Sequence, residues 1–221
     1  SISQPVKHAL RAVDVSFGRF RDEAQIPGIA WGIVHDGVLV HAAGSGTLQL
    51  EDARTPDADS VFRIASMTKS FTAACVLHLR DRGQLGLDDP VRNHVPELTD
   101  WHPPAADTPP VTIRQLLSMS SGLPTDDAWA DRQLEGPRED LRRHLASQPG
   151  FAWPPGTAFE YSNLGYAILG CVIENVTGGT YQEFVGLCLL RPLGMESTTF
   201  SQEGVPAARL ASGYVRREGN F

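Results

Sequence analysis

Lysine is almost absent from this chain: of 19 basic residues only Lys7 and Lys69 are lysines, and the remaining 17 are arginine. Basic runs are missing as well. The nearest approach, Arg142-Arg143, reads as a solvated helix face, and the formal net charge is −7. A nucleic-acid surface is therefore excluded. No apolar stretch reaches the roughly 18 residues of a membrane span, and "YAILGCVI" is only of buried-helix length. The opening "SISQPVKHALRAV" has no charged leader followed by an apolar core, so no signal peptide is visible in it. Cysteine is scarce: Cys75, Cys171 and Cys188 all fall within apolar helical patterns. An odd count without a close pair predicts core thiols and a reducing, cytoplasmic compartment. A secreted or periplasmic protein whose leader has been removed is the alternative. There is no C-x-x-C, no H-E-x-x-H and no ligand spacing among the seven His, so neither a metal nor an organic cofactor is implied. The absence of G-x-S-x-G removes the main signal for an α/β-hydrolase, and no phosphate-binding glycine loop or dinucleotide fingerprint is present.

What remains is an ordinary globular composition, 41% hydrophobic and 20% charged over 221 residues. Val6, Leu10, Val13, Phe17 and Phe20 recur at spacings of four and three, predicting an amphipathic helix over 5–24. β-formers then flank Asp36-Gly37, a strong hairpin signal. A helix is predicted from about Met67 to Arg82, with Gly83 at its C-terminal cap. Four more follow: one capped by Thr112, one starting after Pro137, and two within "LGYAILGCVIENVTGG" and "TYQEFVGLCLLRPLG". No convincing strand follows residue 65. A lone hairpin is marginal in water, so the sheet is either completed by something outside these residues or has strands that the pattern hides.

Lys69 sits inside an apolar helix, where a buried Lys can lose its proton near neutral pH and an Arg cannot. In "SMTK", Ser66 and Lys69 are three apart at a helix start, on one face, so hydroxyl and amine can meet. A serine nucleophile needs such a neighbour to accept its proton. In "FEYSN", Tyr161 and Asn163 are two apart in an extended segment and point the same way. A phenol beside an ammonium becomes more acidic, and an Asn amide both donates and accepts. Taken singly, Ser66 reads equally well as a helix cap, Lys69 as a snorkelling surface residue, Tyr161 as a core aromatic and Asn163 as a cap.

Four segments in order carry more weight: "FRIASMTKSFT", "GQLGLDDPV", "TIRQLLSMSSGLP" and "PGTAFEYSNLGYAILG". Together they resemble the serine β-lactamase and penicillin-binding-protein superfamily. Within it the likeness is to the branch holding class C β-lactamases, D-alanyl-D-alanine carboxypeptidases, D-aminopeptidases and β-lactamase-like esterases. The resemblance implies a β-lactamase/transpeptidase-like α/β plus all-α fold: an antiparallel sheet with flanking helices, a helical region, and a cleft between them. It also implies Ser66 as the acylated nucleophile, Lys69 and Tyr161 sharing the acid/base work, and Asn163 orienting the substrate or Lys69. The Ser66 N–H would form half of an oxyanion hole. Tyr-Ser-Asn in place of the Ser-Asp-Asn of class A enzymes argues against a dedicated deacylating Glu.

The family's third motif, Lys-Thr-Gly or His-x-Gly on a sheet strand, is not found after Asn163. These 221 residues are therefore expected to be part of a longer polypeptide, truncated, nicked or completed by another chain, and not fully active alone. The expected division is 1–65, the N-terminal part of the α/β subdomain, and 66–221, the catalytic helix and helical subdomain. The expected activity is that of a serine hydrolase working through an acyl-enzyme on small esters or D-amino-acid amides and peptides. β-Lactam hydrolysis and a non-catalytic or sensor-type module are the alternatives. The expected partners are a small-molecule ester, amide or β-lactam substrate and the C-terminal remainder of the same protein.

Overall fold

Asp36 and Gly37 both adopt positive φ (49° and 74°), which gives a hairpin turn the twist its strands require. The computed structural model describes residues 4–103, 105, 107–125 and 136–215. The turn joins β1 (Gly28–His35) to β2 (Val38–Gly46), antiparallel, with an irregularity between Ile33 and Val34. Ahead of it runs α1 (Gln4–Ala24). Phe17 of α1 stacks on Trp31 of β1 with ring centroids 5.1 Å apart. Asp14 Oδ1 accepts a hydrogen bond from Trp31 Nε1 (2.9 Å) and lies 2.6 Å from His41 Nε2, joining the helix to both strands.

These two strands are the whole sheet among the described residues. Val34, Val38 and Leu39 are accordingly exposed, as are Phe17 and Phe20 of the predicted apolar stripe. The rest of this unit comes from the far end of the chain. Val61 N–H donates to Arg209 O (2.7 Å), Ala211 N–H to Val61 O (2.9 Å) and Ser212 N–H to Leu48 O (3.0 Å). One compact unit thus consists of the chain up to Ile64 and from Ser197 onward; the other is Ala65–Glu196. The tail that the sequence reading placed in 66–221 groups with the N-terminal elements, because its backbone bonds go to Leu48 and Val61. The last six residues of that tail lie outside the described residues.

The second unit is helical: α2 (Thr68–Asp81), α3 (Ile113–Leu117), α4 (Arg138–Ala146), α5 (Asn163–Thr177) and α6 (Tyr181–Val185), with short 3₁₀ turns between α2 and α3. Each predicted cap is in place. Gly83 (φ 69°) follows α2, with its N–H on Arg80 O; Thr112 and Gln115 form a reciprocal capping box on α3. α5 is the central element. Its sequence is apolar on most sides, and it buries Leu164, Ile168, Leu169, Cys171, Val172 and Ile173 against Cys75, Val76 and Leu79 of α2 and the surrounding core. The predicted helix over "TYQEFVGLCLLRPLG" is interrupted. After Val185 it widens into a π-helical turn, Gly186–Leu190, closed by Arg191 N–H on Gly186 O (3.0 Å). Glycine at the switch is a weak α-helix former and tolerates the change.

Candidate active site

Two elements of the helical unit bring the chemistry together. The first is the 3₁₀ turn Ala65–Met67 leading into α2, which carries Ser66 one turn before Lys69. The second is the extended run ending at Ser162, which carries Tyr161 and passes into α5 at Asn163. The four predicted residues meet. Ser66 Oγ lies 2.7 Å from Tyr161 Oη, and Lys69 Nζ donates to Tyr161 Oη (2.7 Å), Asn163 Oδ1 (2.6 Å) and Ser66 Oγ (3.2 Å). An ammonium has three N–H donors, and here three acceptors surround it.

The bland alternatives for these residues give way to particular contacts. The residue at the α2 cap is Met67, without a side-chain capping bond, so Ser66 is not spent as a cap. The cap of α5 is Ser162, whose Oγ accepts from Gly165 N–H (3.1 Å), which leaves the Asn163 amide to Lys69. Lys69 is half-buried rather than enclosed, and Ser66 is exposed. The Lys69 ammonium also lies over two aromatic rings, 4.7 Å from the Tyr161 centroid and 5.6 Å from that of Tyr166.

Sequence reasoning missed two groups that hold this arrangement. Tyr166 anchors its ring by donating to Leu117 O (3.0 Å), and burial, followed by the neighbouring Tyr161, raises its phenol above the ordinary range. Met119 is a non-glycine residue at φ 58°, and that conformation presents both its carbonyl and its thioether to the extended run. Glu160 N–H donates to Met119 O (2.7 Å) and Ser162 N–H to Met119 Sδ (3.3 Å), fixing the residues either side of Tyr161. The carbonyl contact leaves no side-chain signal, and a thioether accepting a backbone N–H has no sequence pattern of its own. Glu160 is itself tied to Thr125 Oγ1 and to Trp153 Nε1 (3.0 Å), and these bonds hold its carboxyl below the usual range.

Among the described residues no three of His, Cys, Asp and Glu gather in a way that could hold a metal ion, and no helix is long and apolar enough to cross a membrane.

Comparison with known proteins extends the pattern. Protein flp of Staphylococcus aureus (strain MW2) is 33% identical over 194 residues, covering 87% of this chain and 38% of that protein. The solved structure of EstCE1, described as a hydrolase with promiscuous acyltransferase activity, superposes with a TM-score of 0.76 at 27% identity. That match covers 96% of this chain and 58% of EstCE1. The D-alanine carboxypeptidase AmpC from Burkholderia cenocepacia gives a TM-score of 0.74 at 29% identity, over 94% of this chain and 55% of its own. The chain thus spans between about a third and three-fifths of the length of these relatives. The fold is the β-lactamase/transpeptidase-like one, helices with a small antiparallel sheet. The family model for beta-lactamase matches residues 13–221, and the chain belongs to the beta-lactamase family.

Proposed function

We propose that this chain carries the nucleophilic half of a serine hydrolase site that works through an acyl-enzyme on Ser66, on small esters or D-amino-acid amides. The observation that carries the reading is the closed set of hydrogen bonds joining Ser66, Tyr161, Lys69 and Asn163. In acylation, Ser66 Oγ attacks the substrate carbonyl carbon while its proton passes to Tyr161 Oη, 2.7 Å away. The Lys69 ammonium stabilises the phenolate character that makes Tyr161 able to take that proton. The phenol then returns the proton to the departing alcohol or amine, and the same pair activates the water that releases the acid. Asn163 holds Lys69 in place by accepting its ammonium N–H at Oδ1. The Ser66 N–H serves as one oxyanion donor.

The likeness to a D-alanine carboxypeptidase and to a hydrolase with acyltransferase activity supports this substrate range. A β-lactam is an amide of the same reactivity class, and the family model is that of beta-lactamase, so β-lactam hydrolysis is the second reading. The two separate on purified whole protein given a short-chain nitrophenyl ester and a chromogenic cephalosporin side by side. Faster ester turnover, abolished in Ser66→Ala, supports the first reading. Faster cephalosporin turnover replaces it with the second. Activity that survives Ser66→Ala removes both.

A further inference from the structure

Outside the candidate site, the chain places two thiols together that are far apart in sequence. Cys75 lies in the middle of α2 and Cys188 in the π-helical turn, with Sγ atoms 3.2 Å apart. Cys75 is fully buried and Cys188 half-buried. The contact is part of a longer seam. Three residues before Cys75 on α2, Thr72 Oγ1 lies 2.8 Å from Tyr181 Oη at the start of α6, so one side of α2 is held to the 181–188 segment at two successive points. The third thiol, Cys171, is buried in α5, and desolvation pushes it up to about 11.

We propose that Cys75 and Cys188 form a modification site, oxidised by a low-molecular-weight disulfide to an intrachain cystine that staples α2 to the π-helical turn. A cystine S–S bond is about 2.05 Å, so the sulfurs must approach by roughly 1 Å. Both sit on elements with their own backbone bonds, and Cys188 lies in a turn already wider than an α-helix. The order of attack follows from exposure. The Cys188 thiolate attacks one sulfur of the small disulfide, forming a mixed disulfide and releasing one thiolate. Cys75 then attacks Cys188 Sγ; its S–H bond breaks, the Cys75–Cys188 bond forms, and the second small thiol departs. The two released thiols carry the two protons and the two electrons. Burial and the neighbouring sulfur raise the Cys75 thiol well above its ordinary range, which makes the second step the slow one. Cys171, buried and apart, takes no part.

The test is native incubation of the whole protein with oxidised glutathione, followed by acid quench, alkylation and peptide mass mapping. The expected product is a peptide pair linked through Cys75 and Cys188, with Cys171 alkylated only after denaturation. The oxidised protein should melt about 5–10 °C higher than the reduced one, and reductant should reverse the gain. Cys75→Ala should stop at a glutathione adduct on Cys188, and Cys188→Ala should acquire neither link nor adduct. Cys188→Ser serves equally if the alanine variant folds poorly. Wild-type protein that keeps a stable Cys188–glutathione adduct beside a free Cys75 thiol overturns the proposal. So does protein that stays fully reduced in excess oxidant, or that links only between molecules.

Discussion

Lys69→Met tests the proposed chemistry most directly, because methionine keeps the length and apolar stem of the side chain and removes only the charged donor. In the native site the ammonium donates to Tyr161, Asn163 and Ser66 at 2.7, 2.6 and 3.2 Å. Without it the Tyr161 hydroxyl loses the charge that makes it a base, while Ser66 keeps its 2.7 Å contact with a phenol that has little reason to take a proton. Removing a positioned acid–base group slows a reaction by about 10²–10⁴-fold, or roughly 3–5 kcal/mol of barrier. The assay is the second-order rate of labelling by a fluorophosphonate, read by intact mass, in the whole protein. Thermal unfolding serves as the control, and Tm should move by only a few degrees because the site is half open to water. Lys69→Arg should be nearly as slow. A guanidinium spreads its donors over a plane and cannot satisfy three acceptors arranged around one nitrogen. Labelling of Lys69→Met within threefold of wild type, at unchanged Tm, would refute the assignment of Lys69 to the chemistry.

Three further outcomes are expected. Met119→Leu keeps the volume but deletes the thioether that accepts Ser162 N–H; a loss of about 1–2 kcal/mol is expected, seen as a Tm lower by about 2–6 °C. Gly122→Ala forces a Cβ to within 2.1 Å of Trp153 O at a φ of 83°, so its denaturation midpoint should fall by the equivalent of about 3 kcal/mol or more. The carboxyl of Asp89 is held below its ordinary value of 3.8, first by Gly86 N–H and then by His94. A depressed folded-state value means that the stabilisation is present at neutral pH and lost as pH falls through that value. Asp89→Asn should therefore be about 1 kcal/mol less stable than wild type at pH 7, a modest figure because the group is partly exposed, and the two should converge once pH falls below that depressed value.

The candidate site was legible because its chemistry is written in side chains at fixed spacings. Ser66 and Lys69 are three apart at a helix start, Tyr161 and Asn163 are two apart where an extended run enters a helix, and a lysine stands out in a chain that otherwise uses arginine. The hairpin was legible from Asp36-Gly37, and helix ends from Thr112 and Gly83, since each of these residues does locally what its chemistry favours. Contacts made through the backbone were not. Met119 holds Glu160 through its carbonyl, and the tail at 209–212 binds Leu48 and Val61 by main-chain bonds that any sequence could make. The pairing of Cys75 with Cys188 was equally hidden, because an odd count without close spacing argued for isolated thiols while packing of α2 on the π-helical turn brought two of them together.

The four proposed active-site residues lie within a single unit, yet Lys69 and Asn163 are 94 positions apart in the chain. That separation ties reactivity to the order of folding events. Helices α2 and α5 can each form within about a microsecond, but alone they assemble at most the local Lys69–Ser66 bond and none of those to Tyr161 or Asn163. Bringing them together closes a long loop, an entropic cost that burial of Cys75, Val76 and Leu79 with α5 in one core helps to offset. Probe reactivity during refolding is thus a clock for tertiary docking, and it should lag behind the recovery of helical circular dichroism.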